Sequence, residues 1–194
     1  MIEFNAADHT YRDEEGEIPS VSAILKCAGY VRDYPNSSGA DRGTKIHQLT
    51  EDFDMGITEI RYPELEDYLE GYRMFRAQNP CIWKYCEEIV FDPIKRFAGT
   101  LDRAGKLNDL DIILDIKSGS REKWHALQLA AYKTALNNVD FRDWKKYCLY
   151  LKPNGYDLVE HTAESAEIAF NAAVVTYYGL GTYGPGRGVR AWAR

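Results

Sequence analysis

The sequence lacks any long hydrophobic run, and no apolar stretch approaches the roughly 20 residues that a membrane-spanning helix needs. Its first residues, Met1-Ile2-Glu3-Phe4, also lack the basic and apolar pattern of a secretory signal peptide. These absences argue against a membrane-spanning or secreted protein. We therefore expect a cytoplasmic protein with no membrane partner.

Cysteine is scarce and scattered. The chain has 4 cysteines, and no two of them form a Cys-x-x-Cys pair. They are Cys27, Cys81, Cys86 and Cys148. Because the protein is expected to be cytoplasmic, disulfide bonds are not expected. Cys86 and Cys148 lie in apolar segments that favour strands, which predicts that both are core thiols.

An excess of positive charge is also missing, since 24 Lys and Arg stand against 30 Asp and Glu, a net charge of −6. This balance argues mildly against nucleic-acid binding. The distribution is uneven, however: residues 1–92 contain 9 basic and 19 acidic residues, and residues 93–194 contain 15 and 11. The net charges of the two halves are therefore −10 and +4. The second half leaves room for a local basic surface, although an incidental split explains the counts equally well.

Hydrophobic residues make up 45% of the 194-residue sequence, which is enough for one domain with a core. We expect a single domain over residues 1–180, with its core between about residues 40 and 151. Residues 181–194 are rich in glycine and arginine and are predicted to be a flexible basic tail. The tail arginines are Arg187, Arg190 and Arg194. They could contact phosphates, but a frayed end is the simpler interpretation.

Hydrophobic periodicity and turn residues predict alternating helices and strands. A short helix is expected after the N-cap residue Ser20. Longer helices are expected at residues 40–55, 63–78, 122–138 and 163–178. Strands are expected at residues 2–4, 10–12, 83–91, 97–102, 111–117, 144–151 and 156–160, and a loop at residues 32–39. The core order is helix, three strands, helix and strand, which predicts an α/β (α+β) fold with helices flanking a central sheet.

The strand predicted at residues 111–117 ends in an acid and a lysine, Asp115 and Lys117. They are two residues apart and project from the same face of a strand. Asp102 is expected to close the preceding strand, which would pair with this one. Two carboxylates and a lysine at one sheet edge favour a divalent cation site with an ammonium beside a reactive water. An Asp-x-Lys pair by itself is usually a surface pair.

The helix predicted at residues 40–55 carries His47 and Glu51 on one face, beside an apolar stripe. The stripe consists of Ile46, Leu49 and Phe53. His47 is either a metal ligand or a buried core histidine, and Glu51 either orients it or is solvated. Gln128 and Tyr132 share one face of a later helix in the same way.

Four motifs thus follow one another along the chain: Gly43-Thr44-x-x-His47, Gly99-x-x-Asp102, Asp115-x-Lys117 and Gln128-x-x-x-Tyr132. In this order, on these elements, they resemble the PD-(D/E)XK nuclease superfamily, in its RecB-like and phage-type exonuclease branch. The resemblance covers residues 2–151 and includes the opening around His9-Thr10-Tyr11. It implies a restriction-endonuclease-like αβββαβ core in which helices flank a central mixed sheet.

The resemblance also implies metal-dependent hydrolysis of DNA phosphodiester bonds, with Mg²⁺ or Mn²⁺ as the cofactor. The implied metal ligands are His47, Asp102, Asp115 and the main-chain carbonyl of Ile116, and the implied catalytic residues are Asp102, Asp115 and Lys117. The candidate accessory residues are Glu51, Glu87 and Glu88, of which only one of the adjacent pair could reach the site. Some relatives hold an iron–sulfur cluster on a late cysteine group. No such group follows Cys148, so no iron–sulfur cluster is expected.

DNA is the partner that the resemblance implies, either single- or double-stranded, and a recombination or single-strand-binding protein is a candidate second partner. The candidate DNA-binding residues are Gln128, Tyr132, Arg42, Lys45, Arg121 and Lys123. Gln128 and Tyr132 could equally brace the site, and Trp124 could stack on a base or cap the core. The oligomeric state stays open, and a phage-encoded chain is expected in the host cytoplasm.

The leading interpretation is a metal-dependent DNA exonuclease of phage or recombination/repair type. One alternative is a structure- or sequence-specific DNA endonuclease of the same superfamily, and another is a catalytically inactive nuclease-like DNA-binding subunit. The inactive form is expected to have lost an acid or the lysine, and all are present here. An unrelated small-molecule metalloenzyme is the last alternative, and Lys117 beside Asp115 argues against it.

Overall fold

The computed structural model describes residues 2–5, 10–31 and 37–183. The predicted basic tail from residue 184 onwards lies outside the described residues, as do His9 and residues 32–36 of the predicted loop. Within the described ranges, no helix is both long and apolar enough to cross a membrane.

A small antiparallel sheet of three strands begins the fold. Its strands are β1 (Glu3–Asn5), β2 (Thr10–Asp13) and β3 (Gly16–Ile18). The strands predicted at residues 2–4 and 10–12 correspond to β1 and β2, which pair as antiparallel neighbours, whereas the sequence did not indicate β3. Helix α1 (Val21–Cys27) follows, and the side chain of Ser20 accepts the backbone N–H of Ala23 at 3.0 Å. Ser20 is therefore the N-cap, as predicted.

Helices α2 and α3 follow α1 and precede the central sheet, α4 lies between its third and fourth strands, and α5 follows its last strand. Helix α2 is Ser37–Asp54, and a 3-10 turn at Pro63–Leu65 leads into α3 (Glu66–Gln78). Helix α4 is His125–Leu136, and α5 is Ser165–Tyr183. Residues 37–39 are therefore helical although a loop was predicted there. Helix α5 also continues to Tyr183, beyond the predicted end of the last helix at residue 178, so residues 181–183 of the predicted tail are helical.

The central sheet has five strands in chain order. They are β4 (Cys81–Asp92), β5 (Phe97–Leu107), β6 (Leu110–Lys117), β7 (Lys145–Lys152) and β8 (Gly155–Glu160). Strands β6 and β7 are parallel because α4 connects them, and the other neighbours are antiparallel. This topology confirms the predicted α/β fold with a central mixed sheet flanked by helices in the order αβββαβ.

The two faces of the central sheet are covered by different helices. Helices α1, α4 and α5 pack on one face and α2 and α3 on the other. Strand β6 shows how the sequence sets this up: Ile112, Leu114 and Ile116 pack toward α2 and α3, whereas Ile113 packs toward α4. Side chains alternate along a strand, so Asp115 shares the face of Ile113.

Strand β5 is longer than predicted, and this changes the position of Asp102. The sequence suggests that the strand ends at Asp102, but β5 continues to Leu107. Gly105 allows the extension, because a Cβ atom at this position would lie 2.2 Å from the carbonyl oxygen of Ile82 in β4. A glycine inside a strand thus marks close backbone approach, and Asp102 lies in the middle of its strand.

Candidate metal centre and its surroundings

Three side chains from three elements meet beside the central sheet. His47 comes from α2, Glu87 from β4 and Asp102 from β5. The Nδ1 atom of His47 lies 3.4 Å from Asp102 Oδ1 and 3.5 Å from Glu87 Oε1. One ligand atom from each residue lies within 4.8 Å of the other two, so the triad could hold a metal ion.

Asp102 occupies the point at which β5 and β6 stop pairing. The last pair of the two strands is Arg103 with Leu114. One residue further, the Oδ2 atom of Asp102 accepts the backbone N–H of Ile116 at 2.5 Å. A side-chain carboxylate thus replaces a backbone acceptor and holds Asp102 against the segment that contains Asp115.

Negative charge is concentrated in this cluster. Burial raises the pKa of Asp102 to about 7; His47 opposes this shift, and the carboxylates of Asp115 and Glu87 add to it. For His47, burial lowers the pKa, but Asp102 and Glu87 outweigh burial and raise it to about 9. Crowded carboxylates of this kind favour a bound cation.

Glu87 reaches the cluster through an unusual backbone conformation. Its φ is 47°, a left-handed value that costs a residue with a side chain roughly 1–2 kcal/mol. Burial raises the pKa of Glu87, but His47 and Arg103 outweigh burial and the pKa is lowered. The neighbouring Glu88 is exposed. Of the two acids that the sequence left open, the structure therefore brings Glu87 to the cluster.

Asp115 and Lys117 lie together beside the triad. Asp115 is fully buried, and its Oδ2 atom is 2.7 Å from Lys117 Nζ. Burial lowers the pKa of Lys117, but Asp115 and Asp102 outweigh burial and the pKa is raised. The second oxygen, Oδ1 of Asp115, is buried and has no hydrogen-bond partner among the described residues. A buried carboxylate oxygen without a partner is costly unless a cation or water satisfies it.

Gln128 and Tyr132 extend this arrangement into α4. Lys117 Nζ donates to Gln128 Oε1 at 3.0 Å, and Gln128 Nε2 donates to Tyr132 Oη at 2.8 Å. Tyr132 is only 4% exposed and packs against Gly99, where a Cβ atom would lie 2.8 Å from Tyr132 Cε1. Of the two predicted roles, bracing the site and binding DNA, the buried position of Tyr132 favours bracing.

The basic residues that were predicted to contact DNA differ in the partners that they have within the protein. Arg42 donates from Nη2 to the carbonyl of Ser118 at 3.0 Å, next to Lys117. Lys45 is paired with Asp41 and Glu64, at 3.0 and 3.8 Å, and Arg121 with Asp157 at 2.7 Å. Lys123 is exposed and has no ion pair within the described part of the chain. The tail arginines 187, 190 and 194 lie outside the described residues.

Two other predicted residues lie near the site without direct contact to the triad. Glu51 accepts a hydrogen bond from Gln48 Nε2 at 3.2 Å, and no hydrogen bond or ion pair joins its side chain to that of His47 among the residues that the structure covers. Burial raises the pKa of Glu51, and the charge of Glu87 adds to this effect. Trp124 is half-buried, with Lys117 Nζ 5.7 Å from the centre of its ring, which places the indole beside the lysine.

Sequence reasoning missed Arg103, which contacts the triad directly. The side chain is fully buried, and its Nη1 atom donates to Glu87 Oε1 at 2.8 Å. The available signal was an arginine directly after Asp102 in an otherwise apolar stretch. Cys86 and Cys148 were both predicted as core thiols. Cys148 is buried, with its Sγ atom 3.8 Å from Asp115 Oδ2, whereas Cys86 is only partly buried.

Comparisons with known proteins show no family for this chain. No protein-family model and no curated protein matches it. The chain is similar to the crystal structure of a proposed exonuclease from Eubacterium rectale, with a TM-score of 0.45 and 11% identity over 85% of this chain and 77% of that one. It is also similar to SSO0001, with a TM-score of 0.33 and 15% identity over 81% and 84% of the two chains. Likenesses this distant establish neither a family nor an activity.

Proposed function

We propose that this protein is a metal-dependent deoxyribonuclease that hydrolyses DNA phosphodiester bonds, and specifically an exonuclease of phage or recombination/repair type. The observation that carries the proposal is the position of Asp115 and Lys117, 2.7 Å apart, beside the triad of His47, Glu87 and Asp102. The order of the four sequence motifs supports the same class of enzyme. We also propose that one domain carries this activity.

The donor atoms of the site fit a hard divalent cation. Carboxylates of Asp102 and Asp115, with the carbonyl of Ile116, offer the oxygen ligands that Mg²⁺ and Mn²⁺ prefer. His47 adds an imidazole nitrogen, which suits Mn²⁺ better than Mg²⁺. The buried Oδ1 atom of Asp115, without a partner among the described residues, is the specific indication that a cation belongs here. Such an ion supplies activation of water and neutralisation of phosphate charge.

Lys117 is the residue that we assign to the reacting phosphate. Two of its three N–H groups donate to Asp115 and Gln128, at 2.7 and 3.0 Å. The remaining N–H can orient the attacking water or stabilise the charge that develops on a phosphate oxygen. In the chemistry of the resembled superfamily, water adds to phosphorus, the bond to the 3′ oxygen breaks, and that oxygen takes up a proton, leaving a 5′ phosphate.

The substrate assignment rests on the positive residues near Lys117. Arg42 is held beside this lysine through the carbonyl of Ser118, and Lys123 is exposed and free of ion pairs in the described ranges. Both can neutralise phosphates, which provides affinity for DNA of any sequence. The proposed exonuclease would remove nucleotides from DNA ends, whereas the alternative endonuclease would cut within the strand.

Digestion of end-labelled DNA tests the proposal. Purified protein is incubated with linear and circular DNA, single- and double-stranded, with Mg²⁺, with Mn²⁺ or with EDTA. We expect linear DNA to be degraded with either metal and to stay intact in EDTA. Circular DNA cut as fast as linear DNA would establish the endonuclease instead. DNA that is bound but never cut would indicate an inactive DNA-binding subunit.

A further inference from the structure

Arg103 is a fully buried arginine in the middle of β5. A buried guanidinium is stable only if its N–H groups find partners. Its Nε atom donates to Asp54 Oδ2 at 2.8 Å, and Nη1 donates to Glu87 Oε1 at 2.8 Å and to the carbonyl of Asp102 at 2.6 Å. Nη2 donates to Thr50 Oγ1 at 3.3 Å. One side chain thus joins α2, β4 and β5.

The partners of Arg103 fall into two groups. Glu87 and Asp102 belong to the triad that could hold a metal ion. Asp54, at the end of α2, lies on the other side of the guanidinium and is anchored to α3, because Tyr72 Oη donates to it at 2.6 Å and Arg76 forms an ion pair with it. Arg103 therefore links Asp54, which joins α2 to α3, to the carboxylates of the site.

The backbone of Glu87 indicates what this connection does. The pairs Cys86–Arg103 and Glu88–Leu101 flank Glu87 in the register of β4 and β5, and Glu87 alone among them has a left-handed φ, 47°. Strained conformations persist where surrounding contacts hold them, and they concentrate at functional sites. The bond from Arg103 Nη1 to Glu87 Oε1 is the contact that holds this carboxylate toward His47.

We infer that Arg103 is a positioning residue that holds Glu87 as a ligand of the metal site. The inference rests on the metal site of the proposed function, but not on the reaction that the site performs. The bond from Arg103 Nη1 holds the carboxylate in place before the cation arrives, which lowers the cost of ordering this ligand on binding. The positive charge of Arg103 also offsets the negative charge of Glu87, the third acid of the site beside Asp102 and Asp115.

Calorimetric titration of Mn²⁺ into folded protein tests the inference. We expect Arg103→Met to weaken Mn²⁺ binding about tenfold or more, the range for residues that orient metal ligands. Arg103→Lys keeps the charge but cannot reach Asp54 and Glu87 together as the guanidinium does, and is expected to recover part of the loss. Lys106→Met, which removes a partly exposed cation from the same strand, is the matched control and should bind Mn²⁺ like the wild type. Thermal unfolding of each variant reports its stability separately.

A double-mutant cycle with Glu87→Gln identifies the route. If Arg103 acts through Glu87, the double variant should bind Mn²⁺ within about twofold of the weaker single variant. Losses that multiply in the double variant would overturn the inference, as would folded Arg103 variants with wild-type affinity. Should Arg103→Met fail to fold, Arg103→Lys and Asp54→Asn decide, and unchanged affinity in both would refute the role.

The outcomes for the site and for the reaction are separable. Wild-type protein that binds Mn²⁺ with the expected dependence on Arg103, but cuts no DNA, would contradict the proposed function and leave this inference standing. Wild-type protein that cuts DNA with Mn²⁺, while Arg103 variants bind the ion normally, would contradict only this inference.

Discussion

The carboxylate of Asp102 accepts the backbone N–H of Ile116 at 2.5 Å, one residue beyond the last β5–β6 pair. This bond ties the middle of β5 to the Asp115-Ile116-Lys117 segment at the place where the two strands stop pairing. It leaves Asp102 Oδ1 directed at His47, 3.4 Å from Nδ1. The site therefore forms where the two strands separate. Asp102 contacts both His47 and the segment that contains Asp115 and Lys117.

His47→Ala should weaken metal binding, and more for Mn²⁺ than for Mg²⁺, because imidazole suits Mn²⁺ better. Calorimetric titration with each ion measures the two affinities, and thermal unfolding reports stability. A histidine that serves only the core would show the opposite result, with lower stability and unchanged affinity for both ions. Equal affinities of wild type and variant would remove His47 from the site.

Gly99→Ala should destabilise the protein by roughly 1–3 kcal/mol, the cost of overpacking a core. The new Cβ atom would lie 2.8 Å from Tyr132 Cε1 and 3.1 Å from Val21 Cγ2. Tyr132 would have to move, and Gln128 and Lys117 with it, so the rate of DNA cleavage should fall as well. Urea unfolding measures the stability.

Gly43→Ala is the matched control for Gly99→Ala. A Cβ atom at Gly43 meets nothing within 4 Å, and alanine favours a helix by up to about 1 kcal/mol over glycine. This variant should be as stable as the wild type or slightly more so. Equal stability of the two variants would show that the close packing of Gly99 against Tyr132 is not important.

Much of the fold and part of the site follow from local sequence patterns. The period-2 pattern of β6 places Asp115 and Lys117 on one face, and the helical pattern around Ile46 places His47. The extension of β5 could not be predicted, because the charged Arg103 and the strand-weakening Gly105 interrupt the apolar pattern, and only pairing with the long β4 makes them part of a strand. Tertiary contact overrides local preference here.

The role of Glu87 could not be predicted from the sequence either. Alternation shows that only one of Glu87 and Glu88 can face the site, but it does not say which. The left-handed backbone at Glu87 and its bond to Arg103 decide this. Both depend on the packing of α2 against β4 and β5, which joins residues far apart in the chain and leaves no local signal.

His125 should make stability fall as the pH is lowered. Its side chain is buried, with Nδ1 2.9 Å from Tyr150 Oη, and burial, followed by the charge of Lys117, lowers its pKa from 6.5 to about 4. The folded state thus disfavours the charged imidazolium. The neutral His125 therefore makes its full contribution to the free energy of unfolding above pH 6.5. This contribution, about 3 kcal/mol in total, is lost as the pH falls toward 4.

Urea unfolding of the metal-free protein between pH 4 and 7 measures this dependence, with His125→Asn as the comparison. The asparagine side-chain oxygen can replace Nδ1 as the partner of Tyr150, but it does not titrate. The free energy of unfolding should therefore decrease less with falling pH in the variant. Parallel curves for the two proteins would contradict a buried neutral histidine.

DNA binding should depend on salt, and Lys123 should contribute to that dependence. With catalysis blocked by Asp115→Ala and Ca²⁺ as the metal, Lys123→Ala should reduce the slope of log affinity against log salt by about 1. Arg121→Ala should reduce it less, because Arg121 is already paired with Asp157 at 2.7 Å.

Lys145→Ala is the control for the salt experiment. In the register of the parallel strands β6 and β7, Lys145 lies opposite Ile112 near the start of both strands, whereas Lys117 of the site lies opposite Tyr150 near their ends. Lys145 is therefore at the end of these strands away from the site. Its removal should leave the salt dependence unchanged. Binding that is absent at low salt, or that does not respond to salt, would favour a substrate other than nucleic acid.

The most direct test of the proposed site is single-turnover cleavage of end-labelled linear DNA with Mn²⁺. Asp115→Asn, Asp102→Asn and Lys117→Ala should each lower the rate about 10³-fold or more while the protein stays folded, because each removes one part of a single assembly. Asp111 lies in β6, as Asp115 and Lys117 do, and is paired with Lys106 at 2.8 Å. The Asp111→Asn variant should cleave DNA at the wild-type rate. Wild-type cleavage by folded Asp115→Asn would contradict the account.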